Sequence, residues 1–259
     1  MALQRELIHV TGADALSYLQ GQLSADVLAG PDCRWSLLLE PNGKLGWLLL
    51  VKVEADSATL SVEAGQADAV VARLQRFMLR TDAQFVVERV AVRRTRLKGE
   101  PAPGSWVHRW CDQDLVDEPQ DAADDDGRFE ELADAALRVD LGLPANGVEL
   151  NAELFASSLG SAALSAASSG IKGCYVGQEL VARTSSRGTT APVALVRVNG
   201  SGEQPEAGAL LCADGGEVGQ LTTVAAQPVG WVALARLRRS GLDAALTCEG
   251  APVVAAALS

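Results

Sequence analysis

The sequence predicts an α+β protein that ends in a small antiparallel β-barrel, and three observations point there. Apolar runs at residues 35–40, 45–54 and 58–62 precede an amphipathic helix at 67–80 and a further strand at 84–92. That order fits an antiparallel or mixed layer rather than a repeating strand–helix–strand array. From residue 193 onward short β-rich pieces follow one another, at 193–198, 209–212, 217–224, 231–237 and 244–248, with Gly and Asp-Gly turns between them, as in a small barrel. The change of texture around residues 188–192 sets a boundary, giving an α+β region at 1–188 and a barrel domain at 189–259.

Taken in order, Thr11 is placed to cap a first helix, with Asp14 suited to its positive end, and Leu16, Leu19 and Leu23 form its buried stripe. Pro41-Asn42-Gly43 turns the first strand into the second. The run from 45 to 53 is far too short to span a bilayer and reads as a buried strand. The helix at 67–80 carries Val70, Val71, Leu74, Phe77 and Met78 on one face. Between Lys98 and Gly127 the chain turns to Pro, Gly, Asp and isolated tryptophans, with a solvated acidic loop at 121–126. Helical periodicity returns at 129–139 and stops at Gly142-Leu143-Pro144. Residues 156–170 are dominated by Ser, Ala and Gly, and periodicity does not decide there between helix and loop.

Twenty-two basic and thirty-three acidic residues leave a formal charge of -11. This argues against the broad electrostatic grip that binders of phosphate backbones need. Arg73, Arg76, Arg80, Arg93, Arg94, Arg96 and Lys98 cluster in one third of the chain, and read as a solvated helix face plus an exposed strand end. The start of the chain shows no charged region followed by an apolar one, so a cytoplasmic protein without membrane contact is expected. Five scattered cysteines and two histidines, never spaced C-x-x-C, make a protein-only metal site unlikely and suit reduced thiols.

The segment carrying most chemistry is Lys172-Gly173-Cys174-Tyr175-Val176-Gly177-Gln178-Glu179, with Arg183 and Arg187-Gly188 close behind. A thiol stands between two glycines, which permit unusual backbone and close approach of a ligand. A cation precedes it, which would favour the reactive thiolate. An amide and a carboxylate follow it, either to hydrogen-bond a ligand edge or to cap the helix begun by Leu180.

This octapeptide resembles the K-G-C-Y-x-G-Q-E signature of the YgfZ family, relatives of the glycine-cleavage T-protein (aminomethyltransferase). Gly12-Ala13-Asp14-Ala15, the run from Leu19-Gln20-Gly21-Gln22-Leu23-Ser24 to Asp26-Val27, Pro41-Asn42-Gly43-Lys44 and the segment from Arg138 to Pro144 match further motifs of that family in the right order. Gly216-Glu217-Val218-Gly219 and Ala233-Leu234-Ala235 match its barrel. The resemblance implies a T-protein-like fold of three lobes in a ring, with a channel for tetrahydrofolate or a derivative. It further implies a role in assembly or repair of Fe–S clusters in enzymes that include tRNA-modifying radical enzymes. The partners implied are folate and Fe–S enzymes or assembly proteins, with no direct nucleic-acid contact.

On that resemblance Cys174 is the working thiol, and Lys172 lowers its pKa or holds an anionic folate tail. Asp140 stands where T-protein relatives carry an acid that recognises the pterin. Tyr175, Gln178, Glu179, Arg183 and Arg187 complete the expected cofactor contacts, the two arginines facing glutamate carboxylates. Two elements depart from the family pattern: its F-x-P-[QE] stands here as Phe155-Ala156-Ser157-Ser158, and its aromatic-R-G as Ser186-Arg187-Gly188. Whether a reaction is catalysed stays open. A folate-dependent one-carbon transferase, and a non-catalytic interaction protein on the same fold, are the alternatives to the accessory role.

Overall fold

The computed structural model describes residues 3–120, 127–187 and 191–258, with side chains left out at 127–133 and 183–187. Seven strands form one antiparallel sheet: β1 (Leu3–Thr11), β2 (Asp32–Leu39), β3 (Leu45–Val53), β4 (Ala58–Glu63), β5 (Gln84–Arg96), β6 (Trp106–Trp110) and β7 (Gln113–Gln120). Their order is β2-β3-β4-β1-β5-β7-β6. Helices α1 (Ala15–Gln22), α2 (Ala67–Gln75), α3 (Gly127–Leu141), α4 (Ser161–Ala166) and α5 (Gln178–Arg187) accompany it. Six further strands close an antiparallel barrel: β8 (Val193–Gly200), β9 (Leu210–Ala213), β10 (Gly216–Ala226), β11 (Trp231–Arg238), β12 (Leu246–Cys248) and β13 (Ala251–Ala257). The expected α+β class and terminal barrel are both present. The expected boundary at 188–189 falls against residues outside the described set.

β3 reads as an unbroken apolar run because both faces of the sheet are covered. Leu49 and Val51 point into a core beneath α1 and α2, with Ile8, Leu19, Leu60 and Leu74. Leu48 and Leu50 point into a second core with Leu37, Leu39, Trp110, Val139 and Leu234 of the barrel. The barrel encloses a third around Val196, Leu221 and Trp231, and closure leaves it no free edge.

Several expectations need correction. Thr11 does not cap α1: it ends β1, Asp14 holds the N-cap position without a side-chain cap bond, and the Asp14 carboxylate accepts the Asp82 N–H at 2.9 Å. α2 stops at Gln75 rather than residue 80, and Phe77 and Leu79 are exposed beyond it. The basic cluster is not wholly a solvated face. Arg73 is fully buried, donating to the Leu39 carbonyl and pairing with Glu40 at 3.4 Å. Arg94 is buried too, forked onto Asp117 at 2.7 and 2.6 Å. The tryptophan-bearing segment, where the sequence indicated no element, is the β6–β7 hairpin. The acidic run 121–126 lies outside the described residues. At 156–170 both helix and loop occur, a 3-10 turn at Ala156–Leu159 leading into α4.

The barrel docks on the body through charged groups as well as apolar ones. Glu149, fully buried, accepts from the Thr223 hydroxyl at 2.5 Å and from Arg138 at 3.0 Å. Among the described residues no helix is long and apolar enough to cross a membrane.

Candidate functional site

The segment 172–177 belongs to the loop between α4 and α5, and that loop is fastened to the end of α1 and the turn after it. The Ser169 N–H donates to the Ser24 carbonyl at 2.9 Å, and the Val176 N–H to the Gly21 carbonyl at 3.0 Å. The Ser24 hydroxyl donates to the Ala167 carbonyl at 2.5 Å and accepts the Leu37 N–H at 2.7 Å. Lys172 Nζ donates to the carbonyls of Gln20, Leu23 and Ala25 at 2.6, 2.5 and 2.9 Å. A helix end leaves such carbonyls unpaired, and its dipole favours a cation there. Gln20 braces the turn from within, donating to Asp26 at 3.0 Å and accepting the Val27 N–H at 2.9 Å. Two motifs far apart in sequence therefore build one structural unit.

The Pro41-Asn42-Gly43 turn meets α5 at the same place. Gly43 has φ 75°, and a Cβ there would lie 2.5 Å from Leu180 Cβ; Gly177 has φ 82°, and a Cβ there would lie 2.7 Å from the Glu40 carbonyl oxygen. Both positions demand glycine for conformation and for close approach. Gly173 differs, because its φ is outside the left-handed region and a Cβ would meet nothing within 4 Å. The space beside the residue preceding the thiol is open.

Cys174 is exposed, whereas Cys248 is buried and Cys33, Cys111 and Cys212 are half-buried. Burial pushes the Cys33 thiol up to about 12, which leaves it unreactive. Lys172 does not play the expected part. All three of its donors are spent on main-chain carbonyls, so none is left for a folate tail or a thiolate. Burial pulls its ammonium down to about 8, against the attraction of Asp26.

Tyr175 is likewise a core residue rather than a stacking platform. It is 7% exposed among Leu37, Leu39 and Val181, with the Lys172 ammonium 5.2 Å from its ring centre. Burial pushes its hydroxyl up, opposed by a bond with Ser168. Gln178 opens α5, two residues earlier than expected, and its Oε1 accepts the Tyr175 N–H at 3.3 Å. Glu179 is exposed in the first turn of α5, where an acid suits the dipole. The side chains of Arg183 and Arg187 lie outside the described residues.

Asp140 stands near the end of α3, half-exposed, between two guanidinium groups. Arg96 of β5 donates to its Oδ2, and Arg197 of β8 lies 3.5 Å from its Oδ1 and donates to its carbonyl at 3.2 Å. The acid expected to meet a pterin thus already joins the body to the barrel. A cleft of about 440 Å³ runs past Arg96 between Lys98, Glu118 and Leu137. A second, of about 260 Å³, flanks the thiol loop between Asp26, Arg34, Trp35, Ser169 and the fully exposed Ile171.

Sequence reasoning brought the octapeptide forward but missed its supports. Gln20 and Ser24 stand in a motif noticed only for its family resemblance; of the partners of Asp140, Arg96 stood in the basic cluster read as solvated and Arg197 carried no signal. What the arrangement offers chemically is an exposed thiol on a pinned loop, with unobstructed approach at Gly173. That suits nucleophilic attack or soft-ligand binding by a thiolate.

Residues 194–258 match the family described as CAF17, C-terminal beta-barrel domain. An uncharacterised protein of Haemophilus influenzae is 29% identical over 195 residues, covering 71% of this chain and 68% of the relative. In three dimensions the chain resembles the crystal structure of glycine cleavage system aminomethyltransferase T from Bartonella henselae. The TM-score is 0.71 at 17% identity, over 100% of this chain and 86% of the other. Likeness at that identity speaks for the fold.

Proposed function

We propose that this chain, whose barrel matches the CAF17 C-terminal domain and whose fold is that of an aminomethyltransferase T-protein, is a folate-binding accessory protein of the YgfZ type that works through Cys174. Its clients are Fe–S enzymes, tRNA-modifying radical enzymes among them, whose clusters it helps to assemble or repair in the cytoplasm. One observation carries the reading: Cys174 is the exposed cysteine among the five, and it stands on a loop pinned by three ammonium–carbonyl bonds. A thiol kept only for packing would not need to be held out in this way.

Tetrahydrofolate fits the residues in part. Asp140 suits a pterin edge on condition of exchange, the ring N–H donors taking the place of the Arg96 or Arg197 guanidinium. Lys172 and Tyr175 are not counted as contacts, because their polar and aromatic groups are already committed. Gln178, Glu179, Arg183 and Arg187 remain proposed contacts. The bound cofactor supplies a one-carbon carrier; the chain supplies orientation and the thiol.

Calorimetry with tetrahydrofolate on the wild type, Asp140→Ala and Cys174→Ala tests this. Binding to the wild type and to Cys174→Ala, with loss of about tenfold in Asp140→Ala, is expected, since one charge-assisted bond is worth that much. No heat with the wild type removes the folate part of the reading. The fold keeps a one-carbon transferase as the second reading, and turnover of an aminomethyl donor by the purified chain would establish it.

A further inference from the structure

We propose that Lys172 is a positioning residue: its ammonium docks the 169–176 loop on the carboxy-terminal end of α1, and so fixes where the Cys174 thiol is presented. The inference rests on the reading of Cys174 as the working group, but its own test is structural and can fail separately. A lysine two residues before a reactive cysteine invites an electrostatic role, and the geometry assigns it another. Its three N–H donors reach three carbonyls, of Gln20, Leu23 and Ala25, and leave no donor over. Each acceptor belongs to α1 or to the turn following it, and none to the loop that Lys172 itself occupies.

Two main-chain bonds flank the lysine on the same support, Ser169 to Ser24 and Val176 to Gly21. Between those two points the Tyr175 ring, buried in the core, holds the loop at its far end, and the residues around the thiol itself are loose. Gly173 makes no close contact, and Ile171 and Cys174 are exposed. The ammonium is thus the central peg among the three polar ties, and the one that a side chain of the loop supplies to α1 and its turn. Among the described residues, charged groups around it are few. Asp26 is the charge it feels, Arg34 of β2 donates to the Asp26 carbonyl and sits beyond it, and the Tyr175 ring covers one side.

Burial pulls the Lys172 pKa down to about 8 from 10.5. The sign of the linkage follows: an opened loop returns the amine to water, where it holds its proton more tightly than in the closed loop. Between about pH 8 and about 10.5 the open form therefore binds more protons, and rising pH favours the closed one. A neutral amine still donates two bonds, so the peg persists without the cost of burying charge.

Hydrogen exchange followed by mass spectrometry, on the full chain as wild type, Lys172→Met and Lys172→Arg, tests the proposal. Rates are corrected for the intrinsic effect of pH. In Lys172→Met, exchange at the amides of Ser169 and Val176 is expected to rise by about tenfold or more, with β3 peptides unchanged as the control for folding. In the wild type, protection of the same amides should climb from about pH 8 to about pH 10, and in Lys172→Arg it should stay flat because guanidinium keeps its proton. Wild-type protection in Lys172→Met, or a flat profile in the wild type, would overturn the assignment. The wild-type profile decides the matter even if Lys172→Met does not fold. Loss of cellular function in Cys174→Ser bears on the thiol alone, so the two readings fail independently.

Discussion

Within the octapeptide, two glycines with the same chemistry have different reasons to be there. Gly177 is bound by its φ of 82° and by the Glu40 carbonyl 2.7 Å from any Cβ. Gly177→Ala is expected to cost about 2–3 kcal/mol in urea unfolding, strain and overlap together. Gly173 has neither restraint, so Gly173→Ala should leave the unfolding midpoint unchanged and instead weaken ligand binding beside the thiol. If Gly173→Ala unfolds early and binds tetrahydrofolate normally, the open approach has no functional meaning. The thiol was legible in the sequence because cysteine between glycines is chemically conspicuous. The role of Lys172 was not, since its partners are main-chain carbonyls about 150 residues away, and carbonyls leave no mark in a sequence.

A second residue-scale consequence concerns acid. Burial opposes ionisation of Asp117, but the forked Arg94 guanidinium and His108, 3.2 Å away, hold its carboxyl far below the usual range. Burial also lowers the His108 pKa, against its bond to Asp117. For Asp117 the stability is fully present above the unfolded value of about 4 and is lost as pH falls toward the folded one. For His108, protonation of the unfolded chain below about pH 6.5 works in the same direction. Urea midpoints should therefore drop steadily from about pH 6.5 downward, and Asp117→Asn should flatten the acid limb while costing about 3–5 kcal/mol at neutral pH. A midpoint that rises with acid would contradict both assignments.

Among the elements, those with a clean apolar signature were readable and those with buried charge were not. β3 and β4 announced themselves through runs of Leu and Val. β1 escaped notice because Arg5 and Glu6 interrupt it, although both are buried. Arg5 pairs with Glu63 at 3.2 Å, and Glu6 accepts the Ala67 N–H at 2.8 Å at the start of α2. Glu6 is thus a cap supplied by a neighbouring strand, and its backbone bonds at Ala67 and Gly65 outweigh the effect of burial and lower its pKa. Glu6→Ala should lower stability by about 1–2 kcal/mol, with earlier hydrogen exchange in the first turn of α2. Stability equal to wild type would show the cap to be idle.

The β6–β7 hairpin was hidden for a different reason. Its two-residue turn is Cys111-Asp112, with Cys111 at φ 51°, a conformation that usually advertises itself with Asn or Gly. β13 was missed because alanine fills much of it, and alanine is a weak strand former whatever the barrel around it requires.

Across the whole molecule, the two regions are joined by hydrogen bonds and by an ion pair at Asp140, the residue proposed to meet the pterin. Arg138 ties Glu149 of the body to Thr223 of the barrel, and Arg197 of the barrel reaches Asp140. On the proposed reading, a ligand that draws Asp140 away from Arg197 would loosen one of these ties. The overall class was visible in the order of strands and helices, whereas these ties were not, because they depend on side chains meeting across the boundary.

The central claim is that the exposed Cys174 is the working group of the protein. In cells lacking the gene, the activity of an Fe–S-dependent tRNA-thiolating enzyme is measured after return of the wild type or of Cys174→Ser. The wild type is expected to restore it. Cys174→Ser, with an unchanged unfolding midpoint because the side chain is exposed, is expected not to. Full restoration by Cys174→Ser would contradict the account.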